Sequence, residues 1–430
     1  MGSAAGAHAA VRRCGRSRGA LPVTVYSVGL GCVDLLLRDV ERPLAHAEDV
    51  VQFRGGVEEC AGGGVFHTLR ALHAALAESP TEGGAAVRVR LEPIACVGDD
   101  AQGRRYCEAL SSALGRDRIA ANTLRGVASV ESCSTGVSVV VEYRQGGRAC
   151  FLDGGANAAL DVPRIDDALR ELDGDRCSNG CTGPVLFHVA YPHLLPRLRP
   201  PQAALSQLLH AAIHEWFRGR PVALALDTNG ASMAPRLDAA AQLDQLAARA
   251  WLRGVLPQLH LLHANYEEAC ALLGESPLLA PPDEQQSAHR QRRRQDAWRL
   301  LQALCHLVSA AEEASSSSTT TSAVRSLAIT LGADGSLLVA GSTRALQALG
   351  LAALDKFYAP APPLPPGAGQ RTTGCGDAYL AGMMHAYLRD VWQRPLSPSA
   401  YDDAPRLSQR FVQAAHASVV RQLARPTASE

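Results

Sequence analysis

The chain has 430 residues, 47% of them hydrophobic, and balances 42 basic against 42 acidic side chains. That is ample for one large domain or two smaller ones, and neutrality without a dominant basic block argues against nucleic acid as the main partner. No apolar run approaches the roughly 20 residues that cross a bilayer, so no membrane partner is expected.

The first 22 residues hold Arg12, Arg13, Arg16 and Arg18 and no acidic residue. They read as a disordered tail, with a weak organellar presequence as the alternative. Gly6 stands where the myristoylation pattern after Gly2 wants Ser or Thr. Val23 to Val28 predicts a strand, followed by Gly29-Leu30-Gly31 and, close behind, Asp34. Gly62-Gly63-Gly64 opens an apolar-periodic helix from about Val65 to Ala77. Arg88 to Val97 predicts a second strand, ending in Gly98-Asp99-Asp100 before a helix that carries Arg104 to Leu114. Val50 to Glu58, and Gly136 to Phe151 around a Gly146-Gly147 turn, read as β-ribbon. Further strands are expected at Val185 to Val189, at Val222 to Leu226 with Asp227 at its end, at Leu259 to His263 before Asn265, and at Ser326 to Leu331 before Gly332.

Repeated strand–turn–helix units of this kind predict an α/β fold, a three-layer doubly wound, mostly parallel sheet. The ribbons, at about 37–58 and 130–153, would form a small projecting β-sheet lid on a domain spanning 23–425. In such sheets ligands bind at the carboxyl ends of the strands. Two segments, about 276–296 and 312–323, read as disordered insertions flanking a helix near Ala297 to Ala311. The basic cluster Arg290 to Arg294 reads as a solvated surface, and Pro360 to Gly369 as extended chain. Twelve cysteines without a repeating spacing suggest reduced thiols in a cytoplasmic compartment. Cys177 and Cys181 read as ordinary loop thiols, because no second pair at zinc spacing lies near them.

Thr373-Gly374-Cys375-Gly376-Asp377-Ala378-Tyr379 carries the most chemistry, standing just ahead of an apolar helical run from Ala378 to Tyr387. Free N–H groups at a helix N-terminus form an anion site. Asp377 then falls where a transferring phosphoryl group and an incoming hydroxyl would meet. The same residues also fit a plain tight turn with Asp377 as a cap.

From about Val23 to Gln422 the chain resembles the ribokinase-like (PfkB) carbohydrate kinase family. The resemblance makes Gly374, Cys375 and Gly376 the anion hole and Asp377 the catalytic base. Asn265-Tyr266-Glu267-Glu268 matches the family's Asn-x-x-Glu element, which implies Asn265 on the nucleotide side and Glu268 holding Mg²⁺ through water. Thr330-Leu331-Gly332-Ala333-Asp334-Gly335 matches its nucleotide turn, with Thr330, Gly332 and Gly335 as contacts. Asp34, Gly62, Gly63 and His67 fall at its sugar-binding positions. Val97 to Gly103 and Gly155 to Leu160 also match family elements.

Several residues depart from the pattern. Arg371 stands where the family usually has Asp, which puts a monovalent-cation requirement in doubt. Cys375 replaces a small residue at a helix N-terminus, which should lower its thiol pKa and make it sensitive to oxidation or alkylation. His67 replaces a sugar-binding asparagine, as a new ligand or as a satisfied helix histidine. Gly147 falls near a substrate-contacting glutamate of ribokinases, and Cys32 replaces a polar sugar ligand.

The resemblance implies ATP-dependent phosphorylation of a hydroxyl group of a small sugar, with ATP and Mg²⁺ as cofactors. It also implies ribbon contacts that could make a homodimer. Two other readings stay open: a nucleoside or vitamin-alcohol kinase of the same fold, or a catalytically poor sugar-binding regulatory homologue.

Overall fold

Six segments that read as nearly unbroken apolar runs form the centre of the fold: β1 (Val23–Gly29), β4 (Val89–Gly98), β8 (Val185–Ala190), β9 (Val222–Asp227), β10 (Leu261–Asn265) and β11 (Val324–Thr330). They are buried along almost their whole length and pair parallel with their neighbours. Runs without alternation suit parallel strands covered on both faces. The computed structural model describes residues 22–42, 51–78, 88–115, 124–144, 148–173, 183–199, 204–229, 254–279, 285–314, 324–350, 353–363, 373–393 and 395–424. The tail as far as residue 21, Gly147, Arg371, Cys177, Cys181 and most of the second expected insertion lie outside the described residues.

The expected mostly parallel doubly wound sheet is present. Among the described residues it has nine strands in the order β13-β12-β11-β10-β9-β8-β1-β4-β5. β5 (Val127–Val130) closes one edge. At the other edge β12 (Ser336–Ser342) and β13 (Tyr358–Ala359) run antiparallel. The chain leaves β1 for β4 on one side and returns for β8 on the other, so β1 and β8 border a topological switch point. Open α/β sheets place their crevice there.

Among the described residues, eight α-helices of eight residues or more complete the layers: α1 (Gly63–Ala77), α2 (Ala101–Ala113), α3 (Val162–Asp173), α4 (Ala204–Ala211), α5 (Tyr266–Leu273), α6 (Gln286–Ala314), α7 (Cys375–Tyr387) and α8 (Ala404–Leu423). α7 packs against α1, α8 and β10, which carries its first turn to the strand ends. No helix among the described residues is long and apolar enough to cross a membrane.

The small sheet is real, and the expected ribbon from Gly136 to Phe151 is present as an antiparallel pair, but the first ribbon differs from the one expected. Its order is β3-β2-β6-β7, built from β2 (Cys32–Val40), β3 (Val57–Gly62), β6 (Gly136–Tyr143) and β7 (Arg148–Asp153). The expected ribbon at Val50 to Glu58 reduces to a single bridge from Phe53 to Val40 before β3 begins. Asp34, Arg38 and Asp39 break the apolar alternation of β2 and hide it in the sequence. α6 also starts at Gln286, so the first expected insertion is helical over its second half. Its basic cluster is not simply solvated. Arg290 pairs with Asp334 at 2.9 Å, Arg293 reaches Glu267 at 2.6 Å, and Arg294 lies 3.6 Å over the Tyr358 ring.

Candidate active site

α7 begins with Gly374 in the left-handed region, φ 77°, and no side chain caps it. The first N–H groups of a helix have no acceptor within it. A β-carbon on Gly374 would sit 3.1 Å from Gln422 Nε2 and 3.3 Å from His67 Nδ1. A β-carbon on Gly376 would sit 3.1 Å from His263 Cε1. Two imidazoles thus border the turn, and a β-carbon at either glycine would press on one of them.

Asp377, in the first helical turn, is 4% exposed. Tyr191, just past the end of β8, donates its hydroxyl to both carboxylate oxygens at 2.7 Å, and Thr68 of α1 donates at 3.4 Å. Burial pushes the Asp377 pKa up to about 6, and nearby Asp227 adds to this. His67, the Tyr191 hydrogen bond and His263 pull the other way. The Tyr191 phenol is itself raised well above its ordinary value, by burial and then by Asp377, so it stays a donor.

On the sugar side of the expected site, His67 and Asp34 come together, with Nε2 to Oδ2 at 3.1 Å. Arg70 lies 3.4 Å from His67 Nδ1. The Gly62–Gly63 pair answers to packing: a β-carbon would fall 2.2 Å from the Asp34 carboxyl carbon at Gly62 and 2.3 Å from Leu30 O at Gly63. Asn157 fixes the neighbouring turn through both polar groups of Gly31, at 3.0 and 2.8 Å. From the small sheet, Glu142 accepts the Thr373 hydroxyl at 3.0 Å and pairs with Arg38 at 2.8 Å.

On the expected nucleotide side, Thr330 Oγ1 lies 3.4 Å from His263 Nε2, and His263 Nδ1 lies 3.3 Å from Asp227. Burial pulls the His263 pKa down, but Asp227, Glu268 and Asp377 outweigh it, so the imidazole stands above its ordinary value. Gly332 and Gly335 close the turn after β11, where Leu331 N donates to Gly335 O at 2.8 Å. Asn265 and Glu268 form a capping box at the start of α5. Glu268 also accepts from Thr228 at 3.2 Å, and its pKa is raised to about 7 by burial and by Asp227.

Asp34, Gly62, Gly63, His67, Gly374, Gly376 and Asp377 therefore form one cluster, which His263 links to Thr330. Gly332 and Gly335 lie one turn farther out, and Asn265 and Glu268 adjoin through Thr228. The expectation for Cys375 fails: burial pushes its thiol up to about 12, and Asp377 and Glu142 add to that against Arg148. Sequence reasoning also missed Tyr191, Thr68 and His263. The signal for Tyr191 was a large residue before Pro192 at the end of a buried strand; its φ is 59°, a conformation bulky residues rarely adopt.

No protein-family model and no curated protein matches the chain. Solved structures do match it. Ribokinase from Giardia lamblia is 15% identical, with a TM-score of 0.55 over 95% of this chain and 96% of that one. Adenosine kinase from Anopheles gambiae, in complex with P1,P4-di(adenosine-5) tetraphosphate, is 17% identical, with a TM-score of 0.52 over 93% and 95%. Ribokinase from Cryptococcus neoformans, in complex with ADP, is 17% identical, with a TM-score of 0.51 over 93% and 98%. The chain has the ribokinase-like fold.

Proposed function

We propose that this protein is a ribokinase-like (PfkB) kinase that transfers the γ-phosphoryl group of ATP to a hydroxyl of a small sugar. The observation that carries this reading is Asp377 itself. It is a buried carboxylate with a pKa near 6, in the first turn of a helix that opens on a left-handed glycine without a side-chain cap, and it already holds a hydroxyl at 2.7 Å. In the proposed reaction that carboxylate takes the acceptor's proton. The N–H groups of Gly374 to Asp377 receive the phosphoryl oxygens. Asp34 and His67 orient the sugar, and Thr330 with the Gly332–Gly335 turn faces the nucleotide. Phosphoryl transfer depends mostly on positioning and charge stabilisation, which suits this division of labour.

The residues present fit Mg²⁺ as an ion held through water. No group of three or more metal-ligating side chains gathers among the described residues, and both oxygens of Glu268 are engaged by Asn265 and Thr228. Hard oxygen donors of this kind suit an ion that keeps most of its water and arrives with phosphates. When bound it would neutralise charge on the phosphates beside Glu268.

ATP consumption measured against a panel of ketoses, aldopentoses and nucleosides tests the proposal. Turnover with a sugar supports it, and turnover with nucleosides alone replaces the sugar by a nucleoside. The hold of Tyr191 on Asp377 adds to the departures at Arg371, His67 and Gly147 in favouring a catalytically poor binding protein. Sugar binding without any ATP consumption would establish that reading instead.

A further inference from the structure

An acceptor hydroxyl must hydrogen-bond to Asp377 before its proton can pass there, yet in this structure the Tyr191 phenol already makes that hydrogen bond, 2.7 Å from each oxygen. Tyr191 is 7% exposed, and its ring is wedged against α1, where a β-carbon on Gly64 would lie 3.0 Å away. The backbone that aims it is strained, with φ 59° immediately before Pro192, while Tyr191 N is bonded to Asp227 O at 3.3 Å. Strained residues held this firmly gather at functional sites. With Thr68 on the same carboxylate, two protein hydroxyls occupy positions from which a substrate or a water would approach.

We propose that Tyr191 is a built-in stand-in for the acceptor: its phenol occupies the accepting face of Asp377 and keeps water off it until the substrate hydroxyl takes its place. This rests on the kinase reading above. The suppressed side reaction is ATP hydrolysis. In it a water oxygen would bond to the γ-phosphorus, the bond to the β-phosphate oxygen would break, the water proton would pass to Asp377 and ADP would leave. Exclusion of water is a general need of phosphotransferases, and here one side chain supplies it at the base itself.

Tyr191→Phe removes only the hydroxyl. With Mg²⁺ and ATP and no acceptor, this variant should release ADP at least roughly tenfold faster than wild type, a modest part of the ~10²–10⁴ a general base contributes. Its KM for the best panel sugar should fall without a rise in kcat. Adding Asp377→Asn should abolish the extra hydrolysis, which a merely loosened fold would not do. ATP should raise the melting temperature of the variant as it does that of wild type. If Tyr191→Phe folds poorly, Tyr191→Asn gives the same comparison, because asparagine tolerates left-handed backbone and is shorter. Acceptor-free hydrolysis at the wild-type rate, in a background where wild type phosphorylates a sugar, would overturn the stand-in role. A wild type that phosphorylates nothing in the panel removes the kinase reading, and this inference with it.

Discussion

Asp377→Asn should make the protein both inactive and more stable, and the structure gives the size of each effect. Burial raises the Asp377 pKa from 3.8 to about 6. At 1.36 kcal/mol per pKa unit, holding this carboxylate ionised costs the fold roughly 3 kcal/mol at neutral pH. The sign follows from proton binding: the native state holds this proton more tightly than the unfolded chain, so wild type loses stability as pH rises from about 4 through about 6. Asparagine keeps the shape, accepts from Tyr191 and can donate to the Thr68 hydroxyl. The variant should therefore melt a few degrees above wild type at pH 8 and at the same temperature near pH 4. Turnover should fall by ~10²–10⁴, the usual contribution of a general base, while ATP still protects against unfolding. Wild-type kcat/KM should drop on the acid side with an apparent pKa near 6, as Asp377 takes up its proton. Thermal melts across pH, beside coupled ADP-release assays, make the comparison. An Asn variant within tenfold of wild-type activity, or one destabilised equally at both pH values, would refute the reasoning.

Two smaller predictions bear on the same turn. Gly374→Ala should lower kcat/KM about tenfold with a modest loss of stability. A non-glycine residue at φ 77° costs roughly 1–2 kcal/mol, and the new methyl would press on His67 and Gln422; circular dichroism with steady-state kinetics checks it, and unchanged kinetics would mean the turn is no cradle. Iodoacetamide at pH 8 should modify exposed Cys133 well before Cys375, whose thiol stands at about 12. Peptide mass spectrometry reads the order, and equal rates would show the thiol is not held down by burial.

Where a property depended on neighbours in sequence, it could be read from the sequence. The buried parallel strands announced themselves as unbroken apolar runs, and the Gly374 turn and the Asn265-x-x-Glu268 spacing are local patterns. β2 did not, because Asp34 and Arg38 interrupt its alternation, and only pairing with β3 and β6 makes it a strand. Tyr191 and Asp377 are 186 positions apart, so their hydrogen bond has no local signal. His263, within an apolar run, looks like core until α7 is laid across it. Cys375 shows the same limit from the other side. The helix terminus argues locally for a reactive thiol, and burial, a tertiary quantity, reverses it.

Asp390 shows what a purely structural buried acid looks like in this chain. Its side chain is 1% exposed, and burial pushes its pKa up, but the guanidinium groups of Arg389 and Arg410 outweigh that and hold it below the ordinary value. Asp377 is comparably buried, yet its hydrogen-bond partners are a phenol and a threonine hydroxyl, Asp227 repels it, and its pKa rises. The residue that holds it carries a left-handed backbone, and so does the glycine that opens its helix. A fold selected only for stability would have given Asp377 an arginine, as it gave Asp390 two. At a helix N-terminus, beside a hydroxyl and with the imidazoles of His67 and His263 rather than a guanidinium nearby, the carboxylate keeps a pKa of about 6.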